Sequence, residues 1–371
     1  MGHVASEQLK KPWIETPLLE SAELSKAAGC RIFLKLELLQ PSGSFKSRGI
    51  GNLILTSLSD PSNNGKTLHF FSSSAGNAGL AAVIAARDLG CSCTVVVPLS
   101  AKPMMIEKIR AAGASNVIRY GASWFEADAY MRETFIENQN QDSKSDPLAR
   151  NIYVPPFDHH DIWQGAGTLI DEMVKQLPPR DNVDDKADTY RSFPADAIVC
   201  SVGGGGLLNG IIEGLGRHLP AYQPTTLSKE AKQVRILAVE TTGADSLAHS
   251  LRMGSLQPIP AVTSQAITLG ALCVAQQTLK NAQFPPPGVE VTSIVGTDAD
   301  AAIGVVRLCD ELRLEVELAC GISVQVGLDR LREVMTDLTP DSRVVIIVCG
   351  GNDVTSEMIT DYRQKLENGW K

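Results

Sequence analysis

The run AIVCSVGGGGLLNGIIEGLGRHL, residues 197–219, changes character twice. Its first six residues are apolar or small and have no helical spacing, which predicts a strand buried on both faces. Four consecutive glycines follow, Gly203 to Gly206, and then a helical stretch from Leu207 to Leu219. Strand, glycine loop and helix in that order form the repeating unit of parallel α/β sheets. At such a junction the N–H groups of the helix start converge, the helix dipole adds positive potential, and glycine permits close approach of an anion. A phosphate is the natural guest, with a ligand-free glycine turn as the plain alternative.

Two nucleotide patterns can be tested against this loop. G-x-G-x-x-G fails, because Leu208 stands where the third glycine after Gly203 and Gly205 belongs; no Gly-Lys-Ser/Thr follows for a Walker A loop. The same rhythm runs outward in both directions. LHFFSS (68–73), CTVVVP (93–98), NVIRY (116–120), RILAVE (235–240) and RVVIIVC (343–349) read as strands. NAGLAAVIAARDLG (77–90) and KPMMIEKIRAAG (102–113) read as helices closed by Gly90 and Gly113. The prediction is parallel sheet covered by helices. Polar or proline-bearing segments at 138–150, 178–193 and 220–233 read as surface connections.

The chain has 371 residues, enough for two domains or one large α/β domain. A formal net charge of −8 argues against nucleic acid or an anionic membrane as partner. No apolar run reaches the roughly 20 residues that cross a bilayer. The eight cysteines show no C-x-x-C pair or metal-finger spacing, so free thiols in a reducing, cytoplasmic setting are expected. A small-molecule ligand is the remaining class.

Two further loops carry chemistry. In SSSAGNAG (72–79), Ser74, Ala75, Gly76, Asn77 and Ala78 lie at a helix start, where open N–H groups suit a carboxylate. An ordinary N-cap by Ser74 or Asn77 is the competing reading. In PSGSFKSRG (41–49), Ser44 can cap a helix whose first turn holds Lys46. The positive end of the helix dipole disfavours the ammonium form, and a neutral amine is a nucleophile toward aldehydes. Taken alone, Lys46 would more often be a solvated surface lysine.

The order SGSFKSRG, SSAGNAG, SVGGGGLLNG and VCGGN resembles the fold type II pyridoxal-phosphate enzymes, closest to the L-serine dehydratase and L-threonine deaminase group. The resemblance extends from TPLLES at 16–21 to CGGN at 349–352 and takes in VETTGADS, TSQAITLGA and LACGIS. It implies a two-domain, tryptophan synthase β-like α/β architecture, with residues 1–49 and 155–371 as the cofactor-binding domain. Residues 50–154 would be a smaller inserted domain closing over the substrate. By position, Lys46 would be joined to pyridoxal 5′-phosphate and act in catalysis. Phe45 would lie on the ring, Asn77 at the 3′ oxygen, Cys349 at the pyridine nitrogen, and Gly203, Gly204, Gly205, Gly206 and Leu207 around the phosphate. Ser74, Ala75, Gly76, Asn77 and Ala78 would surround the substrate carboxylate. A monovalent cation, potassium, is implied at Glu240 with the carbonyls of Gly203, Ala244, Leu269 and Ala271.

One departure from the family's pattern stands out: Thr268 occupies the second ring-facing position, where the family has alanine. A thiol at the ring nitrogen does not hold a proton there as a carboxylate would, which makes a weaker electron sink and suits β-elimination. The resemblance thus implies serine or threonine dehydration, an amino-acid substrate and a homodimer. Serine racemase, a β-replacement synthase and a non-catalytic amino-acid-binding relative remain as alternatives, and nicotinamide oxidoreduction rests only on the βαβ rhythm.

Overall fold

The structure, a computed structural model, describes residues 9–138, 148–178, 193–219 and 233–370. The polar connections expected at 138–150, 178–193 and 220–233 lie almost wholly outside the described residues. The chain divides into two compact units, Met1–Ile14 with Lys46–Pro156, and Glu15–Phe45 with Phe157–Lys371.

The first unit holds a four-stranded sheet of β3 (Thr67–Ser72), β4 (Ser92–Val97), β5 (Asn116–Arg119) and β6 (Ala149–Tyr153), in the order β5-β4-β3-β6. All three pairings are parallel. Phe70, Val95, Val96 and Val97 are fully buried, as expected where helices cover both faces. The helix Asn77–Asp88 turns Ala81, Ala82, Ala85 and Ala86 inward, and these small side chains allow close helix packing. It closes on Gly90 at φ +73°, with Gly90 N–H donating to Arg87 and Cys91 N–H to Ala86, which is a Schellman ending.

The second unit holds β1 (Leu18–Glu20), β2 (Arg31–Lys35), β7 (Ala197–Ser201), β8 (Val234–Thr241), β9 (Val289–Gly296) and β10 (Arg343–Ile347). Their order is β1-β2-β10-β7-β8-β9. Four of the pairings are parallel, and β1 runs antiparallel to β2 at the edge. Every expected strand is present. Four further strands are present: β1, only three residues long, β2, β9, and β6, which begins at Ala149 within the stretch that reads as a polar connection.

Candidate functional site

In the second unit, β7 ends at Ser201 and the helix Gly206–His218 begins after four intervening residues. Gly205 adopts φ +92°, a left-handed conformation that admits glycine readily. Space as well as φ demands glycine here. A Cβ on Gly204 would fall 2.3 Å from the Phe157 ring, one on Gly205 would meet Thr278 Oγ1, and one on Gly206 would lie 3.0 Å from the Phe157 carbonyl. The helix's own bonding starts when Asn209 N–H donates to the Gly205 carbonyl at 2.9 Å. The N–H groups of Gly206, Leu207 and Leu208 thus stand at the open end of the helix. An anionic phosphate suits this donor set.

The C-terminal loop Cys349–Asn352 is stitched to the segment before Lys46. Phe45 N–H donates to the Cys349 carbonyl at 3.1 Å, Gly351 N–H to the Gly43 carbonyl at 3.0 Å, and Asn352 Nδ2 to the Ser42 carbonyl at 2.7 Å. Ser44 and Gly350 form a β-bridge. The Cys349 thiol is buried, 3.2 Å from Ser201 Oγ and 3.4 Å from the Ile347 carbonyl. Hydrogen bonding with Cys320 lowers the Cys349 thiol below its ordinary range despite burial, and the same contact, with burial, pushes Cys320 well above it. These partners are hydroxyl, carbonyl and thiol.

Thr268 donates its hydroxyl to Glu317 Oε2 at 2.7 Å, while Asp353 N–H donates to Glu317 Oε1 at 2.8 Å. Glu317 is buried directly against Gly351, where a Cβ would fall 2.0 Å from the carboxylate carbon. This carboxylate escaped the sequence reading, because an isolated acidic residue before a helix carries no pattern that marks it as buried.

Glu240, at the end of β8, is fully buried; its two oxygens accept from Leu247 N–H and Ala248 N–H, each at 2.8 Å, at the start of the helix Ser246–Met253. Burial pushes its carboxyl up to about 8 against these two hydrogen bonds. Six positions on, at the first residue of that helix, the buried Ser246 Oγ has no hydrogen-bond partner. A Cβ on Gly203 would lie 3.2 Å from the Leu269 carbonyl oxygen, so these two members of the expected cation set are neighbours. The Glu240 carboxyl, the orphaned Ser246 hydroxyl and the Gly203 and Leu269 carbonyls are hard-oxygen groups of the kind a monovalent cation takes. Ser246 was not singled out from sequence; its signal is the missing partner.

In the first unit, Lys46 opens the helix Lys46–Ser59, half-buried, with Nζ donating to the Pro156 carbonyl at 2.6 Å. The loop Ser72–Gly76 follows β3, and the helix Asn77–Asp88 starts at the expected residue. Gly76 N–H donates to Ser74 Oγ at 3.2 Å, and the first bond of the helix is Leu80 N–H to Gly76 carbonyl at 3.1 Å. Ser74, Ala75, Gly76 and Asn77 are partly exposed, with Ala78 buried behind them. The Ser74 carbonyl lies over Gly79, where a Cβ would come within 1.9 Å of it. N–H groups at a helix start with a hydroxyl beside them can receive a carboxylate.

Comparison with known proteins gives a consistent result. The sequence profile described as "Pyridoxal-phosphate dependent enzyme" matches residues 9–350. An L-serine dehydratase of Saccharomyces cerevisiae is 38% identical over 351 residues, covering 92% of this chain and 94% of its own. The crystal structure of a fungal L-serine ammonia-lyase from Rhizomucor miehei superposes with a TM-score of 0.78 at 31% identity, over 96% of this chain and 99% of that one. A serine racemase from Dictyostelium discoideum gives a TM-score of 0.69 at 26% identity, over 94% and 96%.

Proposed function

This chain belongs to the pyridoxal-phosphate dependent enzymes, in the serine dehydratase family, and on that premise we propose that it is an L-serine dehydratase that also accepts L-threonine. The observation that carries this reading is 38% identity to an L-serine dehydratase over 92% of the chain, a span wide enough to include most of both units. Serine would give pyruvate and ammonia, and threonine 2-oxobutanoate and ammonia.

When bound, the cofactor supplies an electron sink that acidifies the substrate's Cα–H. The remaining work falls to side chains and backbone. Lys46 would hold the cofactor, and its Nζ as a free amine would serve as the general base for the Cα proton. The N–H groups around Ser74, Ala75, Gly76, Asn77 and Ala78 would hold the substrate carboxylate, and the Asn77 side chain would also hold the cofactor's 3′ oxygen. Gly203, Gly204, Gly205, Gly206 and Leu207 would receive the phosphate, in keeping with the open N–H groups of Gly206 and Leu207 at the helix start. Phe45 would pack on the ring, and Cys349 would offer the ring nitrogen a thiol, which would favour elimination. Glu240, with the carbonyls of Gly203, Ala244, Leu269 and Ala271 and the hydroxyl of Ser246, would hold potassium.

The wider reading takes residues 1–49 and 155–371 as the cofactor domain and 50–154 as a domain that closes over the substrate. The working form is taken to be a cytoplasmic homodimer; eight free cysteines agree with a reducing compartment. No helix among the described residues is long and apolar enough to cross a membrane.

The test is keto-acid release from purified holoenzyme in potassium buffer, with L-serine and L-threonine supplied separately. Wild type is expected to turn over, and Lys46→Ala to lose about 10²–10⁴-fold or more in kcat, the scale of a missing general base. The similarity to a serine racemase favours one second reading, racemisation at the same site. D-serine formation without pyruvate would replace dehydration by that reaction.

A further inference from the structure

Behind the Ser72–Gly76 loop lies a buried polar cluster that no step above uses. Ser73, next in the chain to Ser74, is fully buried and donates its hydroxyl to Asp128 Oδ1 at 2.6 Å. Tyr153, the last residue of β6, donates its phenol to the same oxygen at 2.9 Å. Asp128 comes from the helix Trp124–Met131 and is 8% exposed. One carboxylate oxygen therefore ties three elements together: the end of β3, the end of β6 and a helix. The Tyr153 ring is held on its other side by Arg132, whose guanidinium carbon stands 5.6 Å from the ring centroid.

Burying a carboxylate is costly, and an apolar trio of the same volume would hold these elements together without that cost. What an apolar trio lacks is direction. A hydrogen bond from Ser73 to a charged acceptor fixes the side chain's orientation, and with it the backbone leaving β3. One residue later the Ser74 carbonyl is pressed against Gly79, so the chain has no slack on the helix side. The backbone is thus held at Ser73 and at Ser74, the point from which residues 75–78 run into the helix.

We propose that Asp128, acting through Ser73 and braced by Tyr153, is a positioning residue that aims the N–H groups of residues 75–78 at the substrate carboxylate. The inference rests on the reading of that loop given above. Asp128 reaches the substrate only through Ser73, so its loss should weaken substrate binding more than turnover. Ser73→Ala cuts the link and leaves the Asp128–Tyr153 bond intact, which separates aiming from general support of the fold.

The experiment has two arms. In holoenzyme assays, Ser73→Ala and Asp128→Asn are expected to raise KM for L-serine about tenfold with kcat within about twofold, and the double variant to be no worse than the worse single variant, as for residues acting as one unit. In hydrogen–deuterium exchange on the cofactor-free chain, amides 74–78 should exchange about tenfold faster in both variants, with the helix Lys46–Ser59 unchanged. Unmoved KM and loop exchange in folded variants would overturn the proposal, as would faster exchange spread evenly over the unit. If wild type makes no keto acid, the dehydratase reading fails, and the exchange arm alone still decides whether Asp128 holds the loop.

Discussion

At the scale of single residues, Glu240 makes the sharpest prediction. Its carboxyl is raised to about 8 in the folded chain from an ordinary value of 4.5. Between those values the folded chain keeps a proton that the unfolded chain has lost, so without a bound cation stability falls as pH rises through that window. A cation at this site competes with the proton. Potassium should therefore raise the melting temperature more at pH 8.5 than at pH 6.5, and Glu240→Gln should remove the difference. Melting curves of wild type and variant in potassium and lithium salts check this; an equal potassium effect at both pH values would separate Glu240 from the cation. Residues of this kind divide by how they are legible in sequence. Gly203 to Gly206, Lys46 and Asn77 sit in motifs and could be named; Asp128 and Glu317 are lone polar residues whose importance comes from what they touch, and Ser246 is one whose buried hydroxyl lacks a partner.

Among elements, the strands with unbroken apolar runs were readable, because burial on both faces writes itself into the sequence as RVVIIVC or CTVVVP. Of the missed strands, β2 has a buried apolar centre of only three residues, Ile32 to Leu34, between Arg31 and Lys35, and the other three have other signatures. β9 alternates Val, Glu, Val and Thr and is only partly buried, while β1 and β6 are short edges beside polar or proline residues. The helix Leu318–Asp329 is the opposite case, buried on all sides from Leu318 to Leu328, so no amphipathic period marks it. It packs against the helix Asp298–Leu312 through two glycines. A Cβ on Gly304 would fall 1.9 Å from the Gly321 carbonyl oxygen, and one on Gly321 would fall 2.2 Å from that of Ala301. These are backbone atoms with nowhere to go. Gly321→Ala is expected to destabilise the second unit by about 1–3 kcal/mol or more through overpacking. The measure is a lower urea midpoint followed by tryptophan-independent far-UV signal; an unchanged midpoint would mean the two helices separate without penalty.

Across the whole molecule, the motifs near the two ends of the sequence converge in space. Ser42 and Asn352 are 310 positions apart, yet Asn352 Nδ2 donates to the Ser42 carbonyl at 2.7 Å, and the Asn352 side chain lies so close to Gly43 that a Cβ there would come within 2.9 Å of its Oδ1. The loop Cys349–Asn352 thereby fixes Phe45, the residue covalently attached to Lys46, through the Phe45–Cys349 bond. Neither motif shows this connection when read separately; motif order was visible in the sequence, whereas the distance between the ends was not. The consequence can be measured. Asn352→Ala removes the partly buried hydrogen bond to the Ser42 carbonyl, a contact worth about 1 kcal/mol, so the cofactor-free chain should melt lower. Cofactor binding should suffer more, because the segment leading into Lys46 loses one of its ties to the loop that ends at Asn352. Titrating cofactor-free protein with pyridoxal phosphate is expected to give a several-fold weaker affinity for Asn352→Ala, with Asn352→Asp intermediate because its carboxylate cannot donate to the Ser42 carbonyl but keeps the volume beside Gly43. Equal affinities for wild type and both variants would show that Phe45 and Lys46 are positioned without the C-terminal loop.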